Sequence, residues 1–213
     1  MKQFHFNSQS DYNTITIIRT IAVILVVFIQ HSLGPYGNSW NYVDNIPNHC
    51  KIIYGIISTI FNNISMPLLI FISGYLYQSL YKEKNKYKNY SKLIFTKIKR
   101  LIIPAYLFGM IFLFTLSPYS ENILQDITNG YAHLWYLPAL FWCFVFAPLF
   151  SKIKNNKLSI ILLFICFIFI YIPLPNILGI NHFHIYFFYF LLGITIAQSL
   201  VSNKNGRVKN LIK

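Results

Sequence analysis

The chain has unusually few charged residues. Asp, Glu, Lys and Arg together make up 11% of its 213 residues, whereas about a quarter of a typical soluble domain is charged. Hydrophobic residues account for 55% of the chain. This composition argues against an ordinary soluble domain and indicates an integral membrane protein.

Other features are missing from the sequence as well. The cysteines, Cys50, Cys143 and Cys166, form neither a CxxC pair nor a metal-ligand spacing, so we expect unpaired thiols and no metal site. The apolar runs do not alternate with polar residues as transmembrane strands do. The sequence shows no internal repeat and no low-complexity linker, so residues 1–213 are expected to form one domain.

Six apolar runs have a length suited to crossing a membrane, for which roughly 20 residues are needed. Because a backbone without water must satisfy its own hydrogen bonds, these runs are expected to be helices. The sequence therefore predicts an all-α, polytopic membrane bundle of about six transmembrane helices. The runs cover residues 15–33, 52–81, 98–117, 133–150, 158–177 and 184–201.

The second run is longer than a simple span requires. Asn62, Asn63 and Pro67 interrupt it, and a proline removes one helical hydrogen bond. We therefore expect a break, with residues 52–61 on the outer side and residues 64–81 as the span. A long tilted helix that tolerates the proline is the alternative.

The basic residues are sorted along the chain. Of the 18 Lys and Arg residues, 17 lie near the termini or in alternate loops, and only Lys51 lies in the remaining loops. Basic residues collect on the cytoplasmic side of membrane proteins. The pattern therefore predicts a multi-pass protein of the cell inner (plasma) membrane with both termini cytoplasmic. It also argues against nucleic acid as the reason for the net charge of +13.

Polar residues recur at particular places in the apolar runs. Ionisable side chains at membrane depth are costly and need a reason to be there. The series is, in chain order, Arg19 and His31 in the first run, Ser73-Gly74-Tyr75 in the second, Lys97-Ile-Lys99-Arg100 at the start of the third, His133-Leu-Trp135 at the start of the fourth, and Phe187 to Gly193 in the sixth. This ordered series resembles the membrane acyltransferase-3 family, which includes many O-acetyltransferases of surface polysaccharides.

The resemblance implies a donor and an acceptor on opposite sides of the membrane. The donor would be a cytoplasmic acyl-CoA, with acetyl-CoA as the first choice, and the acceptor a hydroxyl of an extracytoplasmic saccharide or lipid-linked glycan. Arginine suits phosphate through its bidentate fork. The residues implied in donor binding are Arg19, Ser73, Tyr75, Lys99 and Arg100. For the lysines, anchoring at the membrane surface is the alternative.

The resemblance also implies roles for three residues of the outer half. His31 would be the general base, because a histidine exchanges a proton near neutral pH. A structural histidine at a helix end is the alternative. His133 and Trp135 would contact the saccharide, although tryptophan is also common in the aromatic belt of membrane proteins.

The spacing of Arg19 and His31 departs from the family pattern, in which ten residues intervene. Here eleven intervene. At about 100° per residue, Gln30 lies about 20° from the Arg19 face and His31 about 120° from it. Glutamine cannot act as a base. A π-bulge between the two would restore His31, whereas a regular helix would leave the protein inactive.

Two other functions stay open. Family members usually have about ten helices, so the resemblance implies missing C-terminal helices. The chain would then be an inactive remnant, or a half that needs a partner to supply those helices. The third choice is a transporter of a lipid-linked sugar, which would be expected to show inverted repeats.

Overall fold

The fold is described here from a computed structural model. The structure describes residues 8–26, 47–84, 89–116, 132–153, 156–175 and 179–211. Over these residues the structure is almost entirely helical, which confirms the all-α prediction for this part of the chain. The chain divides into two compact units, Met1–Ile72 and Ser73–Lys213, and each is described by itself. The single domain stays a prediction.

The helices follow the apolar runs but differ at their ends. Their bounds are α1 Ser8–Ile24, α2 Asn48–Lys84, α3 Tyr90–Lys97, α4 Ile103–Leu116, α5 Tyr136–Ser151, α6 Asn156–Phe169 and α7 Ile180–Leu211. A π-helical segment, Ile98–Ile102, joins α3 to α4, and a 3-10 turn, Ala132–Trp135, precedes α5. α6 ends before residue 177, the predicted end, because Pro173 and Pro175 follow and disfavour helical geometry.

Two of the described helical stretches are long and apolar enough to cross a membrane. They are Asn48–Tyr81 in α2 and Ile180–Leu200 in α7. Shorter apolar helices cover Ile15–Ile24, Tyr136–Ser151 and Lys157–Phe169. The topology of six spans with cytoplasmic termini stays a prediction.

The predicted break in the second run is wrong. α2 is helical without interruption through Asn62, Asn63 and Pro67. The proline removes only the hydrogen bond to the Asn63 carbonyl, and losing one bond costs less than unpairing a whole turn in apolar surroundings. Close by, the Ser65 hydroxyl donates to the Phe61 carbonyl over 2.6 Å, as a helical serine does.

The third run becomes helical earlier than predicted. α3 begins at Tyr90, and the side chain of Asn89 caps it by accepting a hydrogen bond from the Lys92 N–H at 3.2 Å. Asparagine is among the residues preferred at this position. The basic residues from Lys97 to Arg100 therefore lie inside a continuous helical stretch and do not open it.

The core of the second unit is aromatic. Tyr77 of α2, Phe144 of α5 and Phe190 of α7 are buried, and their ring centroids lie 5.3 to 6.3 Å apart. Gly74 allows α2 to approach α7 closely, since a Cβ at this position would lie 2.9 Å from the carbonyl carbon of Phe190. The glycine of the Ser73-Gly74-Tyr75 motif thus has a packing role.

Candidate functional site

Arg19 lies on α1 in the first unit, and its side chain is exposed. Ile17, Ile18 and Ile21 around it are exposed as well. Arg19 is therefore accessible at the surface of the first unit, and its role in donor binding stays a prediction.

The helical geometry changes between Arg19 and His31. After the end of α1, Leu25 and Val26 are π-helical. A π turn accommodates one additional residue within a helix, which corresponds to a rotation of about 100°. Gln30 and His31 lie outside the described residues, so the identity of the residue on the Arg19 face stays a prediction.

The side chains of Ser73 and Tyr75 flank the close approach of α2 to α7. Both are half-buried in α2, one residue before and one after Gly74. The Tyr75 carbonyl accepts a hydrogen bond from the Ser79 hydroxyl at 3.0 Å. The motif therefore combines a glycine that packs against α7 with two hydroxyl side chains that remain partly exposed.

The basic residues of the third run differ in their surroundings. Lys99 and Arg100 of the π-helical segment are exposed, and the Lys99 ammonium lies 4.5 Å from the centroid of the Phe95 ring. Lys97 is half-buried, and its ammonium lies 3.3 Å from the centroid of the Phe144 ring. This is a cation–π contact within the core of the second unit.

The structure thus brings Lys97 into the neighbourhood of α2. The Phe144 ring that holds Lys97 also meets Tyr77, at 5.9 Å and an interplanar angle of 63°. Tyr77 is two residues beyond Tyr75. The sequence placed Lys97 in a motif but did not predict its contact with an aromatic ring, because that ring lies 47 residues further along the chain.

Trp135 contacts two residues that the sequence did not assign to its site. Its ring stacks on His182 at a centroid distance of 4.3 Å and an angle of 30°, and on Tyr186 at 5.2 Å and 28°. All three side chains are half-buried. The spacing of His182 and Tyr186, four residues apart on α7, is the only sequence signal for this contact. The backbone of His133 lies in the turn before α5, and its side chain lies outside the described part of the chain.

His184 has a different environment from His182. It is buried, and its Nε2 lies 3.3 Å from the Ile170 carbonyl. The ring of Phe169 meets it edge-on at 5.8 Å. Among the described residues, no group of three His, Cys, Asp or Glu side chains is placed to hold a metal ion.

These features define a class of protein: a helical chain with two apolar helices of membrane length, and with exposed cations on its other helical segments. The family model for the acyltransferase domain of the acyltransferase-3 family matches residues 12–213, which is nearly the whole chain. The chain belongs to this family, and the resemblance seen in the sequence is confirmed. Neither the curated proteins nor the solved structures contain a match.

Proposed function

We propose that the chain is an integral-membrane acyltransferase that transfers an acetyl or other short acyl group. The donor is a cytoplasmic acyl-CoA, and the acceptor is a hydroxyl of an extracytoplasmic saccharide or lipid-linked glycan. The observation that carries this proposal is the match of the acyltransferase domain to residues 12–213.

Exposed apolar faces support a location in the membrane. α4 and α6 present large hydrophobic side chains outward, whereas soluble monomers rarely expose apolar patches larger than a few hundred Å². Lipid chains would cover these side chains in a multi-pass protein. They include Leu107, Phe108, Ile111, Phe114, Ile160, Ile161, Phe164, Ile165 and Ile168.

We propose that the exposed cations bind the acyl donor. Arg19, Lys99 and Arg100 are all exposed, and an exposed arginine can bind a phosphate group with two parallel hydrogen bonds. The hydroxyls of Ser73 and Tyr75 complete the proposed set. Lys97 is engaged with the Phe144 ring, so we assign it to the packing of the third run.

His31 serves as the base in the proposed reaction. It accepts the proton of the acceptor hydroxyl as the oxygen attacks the thioester carbonyl. The C–S bond then breaks, an O-ester forms, and the coenzyme A thiolate leaves and takes up a proton. The π turn at Leu25 and Val26 supports His31 over Gln30, because one accommodated residue in a helix that continued to residue 31 would bring His31 to about 20° from the Arg19 face.

Three variants test whether His31 or Gln30 lies on the same face of the helix as Arg19. If the π turn is retained, His31→Ala abolishes O-acetylation of cell-surface saccharide and Gln30→Ala has a small effect. The exchange Gln30→His with His31→Gln then also lowers activity, because the new histidine leaves the Arg19 face. O-acetyl groups released by mild base from cells expressing each variant provide the measurement. Full activity in His31→Ala, or higher activity after the exchange, would contradict the assignment.

Gln30 also favours a second candidate function. If the helix beyond Val26 is regular, glutamine occupies the position of the base, and the chain alone transfers no acyl group. The chain would then be a remnant or one half of a split enzyme. Activity that appears only on co-expression with a chain supplying further helices would favour the split enzyme.

A further inference from the structure

Three aromatic side chains with polar atoms form one stack at the start of α5 and α7. We define the aromatic stack as Trp135, His182 and Tyr186. Its rings are close to parallel, with angles of 30° and 28° to the indole of Trp135. All three residues are half-buried, so part of each ring remains open to a ligand.

The polar atoms of the aromatic stack have no partner in the described part of the chain. Neither the indole N–H of Trp135, nor the ring nitrogens of His182, nor the Tyr186 hydroxyl forms a hydrogen bond to a described protein group. Buried tyrosine and tryptophan usually find such a partner. Here the indole N–H, the imidazole nitrogens and the phenol hydroxyl lie together without a partner among the described residues.

Backbone geometry fixes the aromatic stack in place. Gly179, just before α7, has a φ of +74°, which is the left-handed region that favours glycine. A Cβ on this residue would lie 2.9 Å from Cβ of Pro138 and 3.2 Å from the Ala139 nitrogen. The start of α7 is therefore held against the first turn of α5. This places His182 of α7 next to Trp135, which precedes α5.

We propose that the aromatic stack binds a sugar ring of the acceptor saccharide. The apolar C–H face of a pyranose packs on an aromatic face, and its hydroxyls hydrogen-bond to the polar atoms of His182, Tyr186 and Trp135, which have no partner among the described residues. This inference rests on the proposed function for the class of acceptor. His182 and Tyr186 of α7 thus join Trp135 in contacting the saccharide, and each adds polar atoms to the site.

Saccharide binding is measurable without the acyl donor. The full chain is purified in lipid nanodiscs, and saturation-transfer NMR is recorded with three probes: maltotetraose, chitotetraose and a β-1,4-galactotetraose. The wild type binds at least one of them. His182→Phe retains a ring for the stack but removes the nitrogens, and Tyr186→Phe removes only the hydroxyl. Each weakens that binding about fivefold, as expected for one lost hydrogen bond, and Trp135→Ala weakens it more.

Trp142→Phe is the matched control. Trp142 lies on α5 and stacks on Phe146 at 6.3 Å, so its replacement changes an aromatic pair that contains no histidine or tyrosine. It retains wild-type binding. Melting temperatures accompany every titration, so that His182→Phe and Tyr186→Phe are compared with the wild type as folded proteins.

Two results would overturn the proposal. One is that none of the three tetrasaccharides binds to the wild type. The other is that the folded His182→Phe and Tyr186→Phe variants bind as the wild type does, which would leave the rings with the role of a membrane-interface belt. Arg19→Ala separates this proposal from the proposed function, because it removes acyl transfer while saccharide binding persists. Saccharide binding without any transferase activity would contradict the function and support the site.

Discussion

Replacing Gly74 by alanine tests how closely α2 and α7 pack in the second unit. The added Cβ would lie 2.9 Å from the carbonyl carbon of Phe190 and 3.2 Å from its Cα, and it would meet the carbonyl oxygen as well. These are backbone atoms, so no side-chain rotation relieves the clash. The helices must separate by about 0.5 Å or more to reach the ordinary contact distance of 3.4 Å.

The cost of Gly74→Ala can be worked out from this geometry. Overpacking a close contact costs about 1–3 kcal/mol, and a clash with backbone belongs at the upper end. Alanine returns up to about 1 kcal/mol of helix propensity. We expect a net loss of about 2 kcal/mol, which corresponds to a melting temperature lower by about 4–8 °C for a chain of this length.

Gly109→Ala provides the control for this prediction. Gly109 is also a buried helical glycine, but the nearest atom to a new Cβ is the Leu134 Cδ1 at 3.9 Å, which is an ordinary contact. The melting temperature of the Gly109→Ala variant should equal or exceed that of the wild type. Thermal unfolding of both variants in the same detergent is the measurement. Equal melting temperatures for Gly74→Ala and the wild type would refute the close packing of α2 on α7.

Two further predictions concern the start of α7 and the orientation of the chain. Gly179→Ala should lower stability by about 1–2 kcal/mol, the cost of a left-handed backbone for alanine, and weaken saccharide binding by displacing His182; an unchanged melting temperature would contradict this. In a background without native cysteines, Asn129→Cys should react with an impermeant maleimide from outside intact cells and Lys86→Cys should not. Labelling of position 86 from outside would overturn the predicted topology.

The class and the family could be predicted from the sequence because both depend on features spread along the whole chain. Apolar runs indicate helices wherever the backbone must form all its hydrogen bonds internally. The order of the motifs along the chain does not depend on where each helix ends. The positions of Pro173 and Pro175 could even have corrected the end of the fifth run. Local composition is sufficient for predictions of this kind.

The break predicted at Asn62 and Asn63 shows where local propensity misleads. Asparagine in a helix interior costs less than about 0.7 kcal/mol, which is small beside the cost of unpaired backbone in an apolar environment. Proline disfavours a helix interior, yet Pro67 leaves only a single carbonyl without its bond. The backbone requirement of the whole segment outweighed these local preferences.

The aromatic stack shows what a single sequence cannot give. Trp135 and His182 are separated by 46 intervening residues, and their contact depends on how α5 and α7 pack. The left-handed Gly179 that brings the helix starts together is one of nine glycines, and nothing in its immediate sequence distinguishes it. The same holds for Lys97, whose ring partner lies on α5.

Acyl transfer by reconstituted protein tests the central proposal most directly. The purified chain is placed in vesicles, radiolabelled acetyl-CoA is added on the face that carries residue 86, and label is measured in an oligosaccharide enclosed on the other face. The wild type should transfer label. Arg19→Ala should lose transfer, while Lys152→Ala, which removes an exposed cation outside the proposed site, should retain it. Absence of transfer by the wild type, or equal transfer by the wild type and Arg19→Ala, would contradict the proposal.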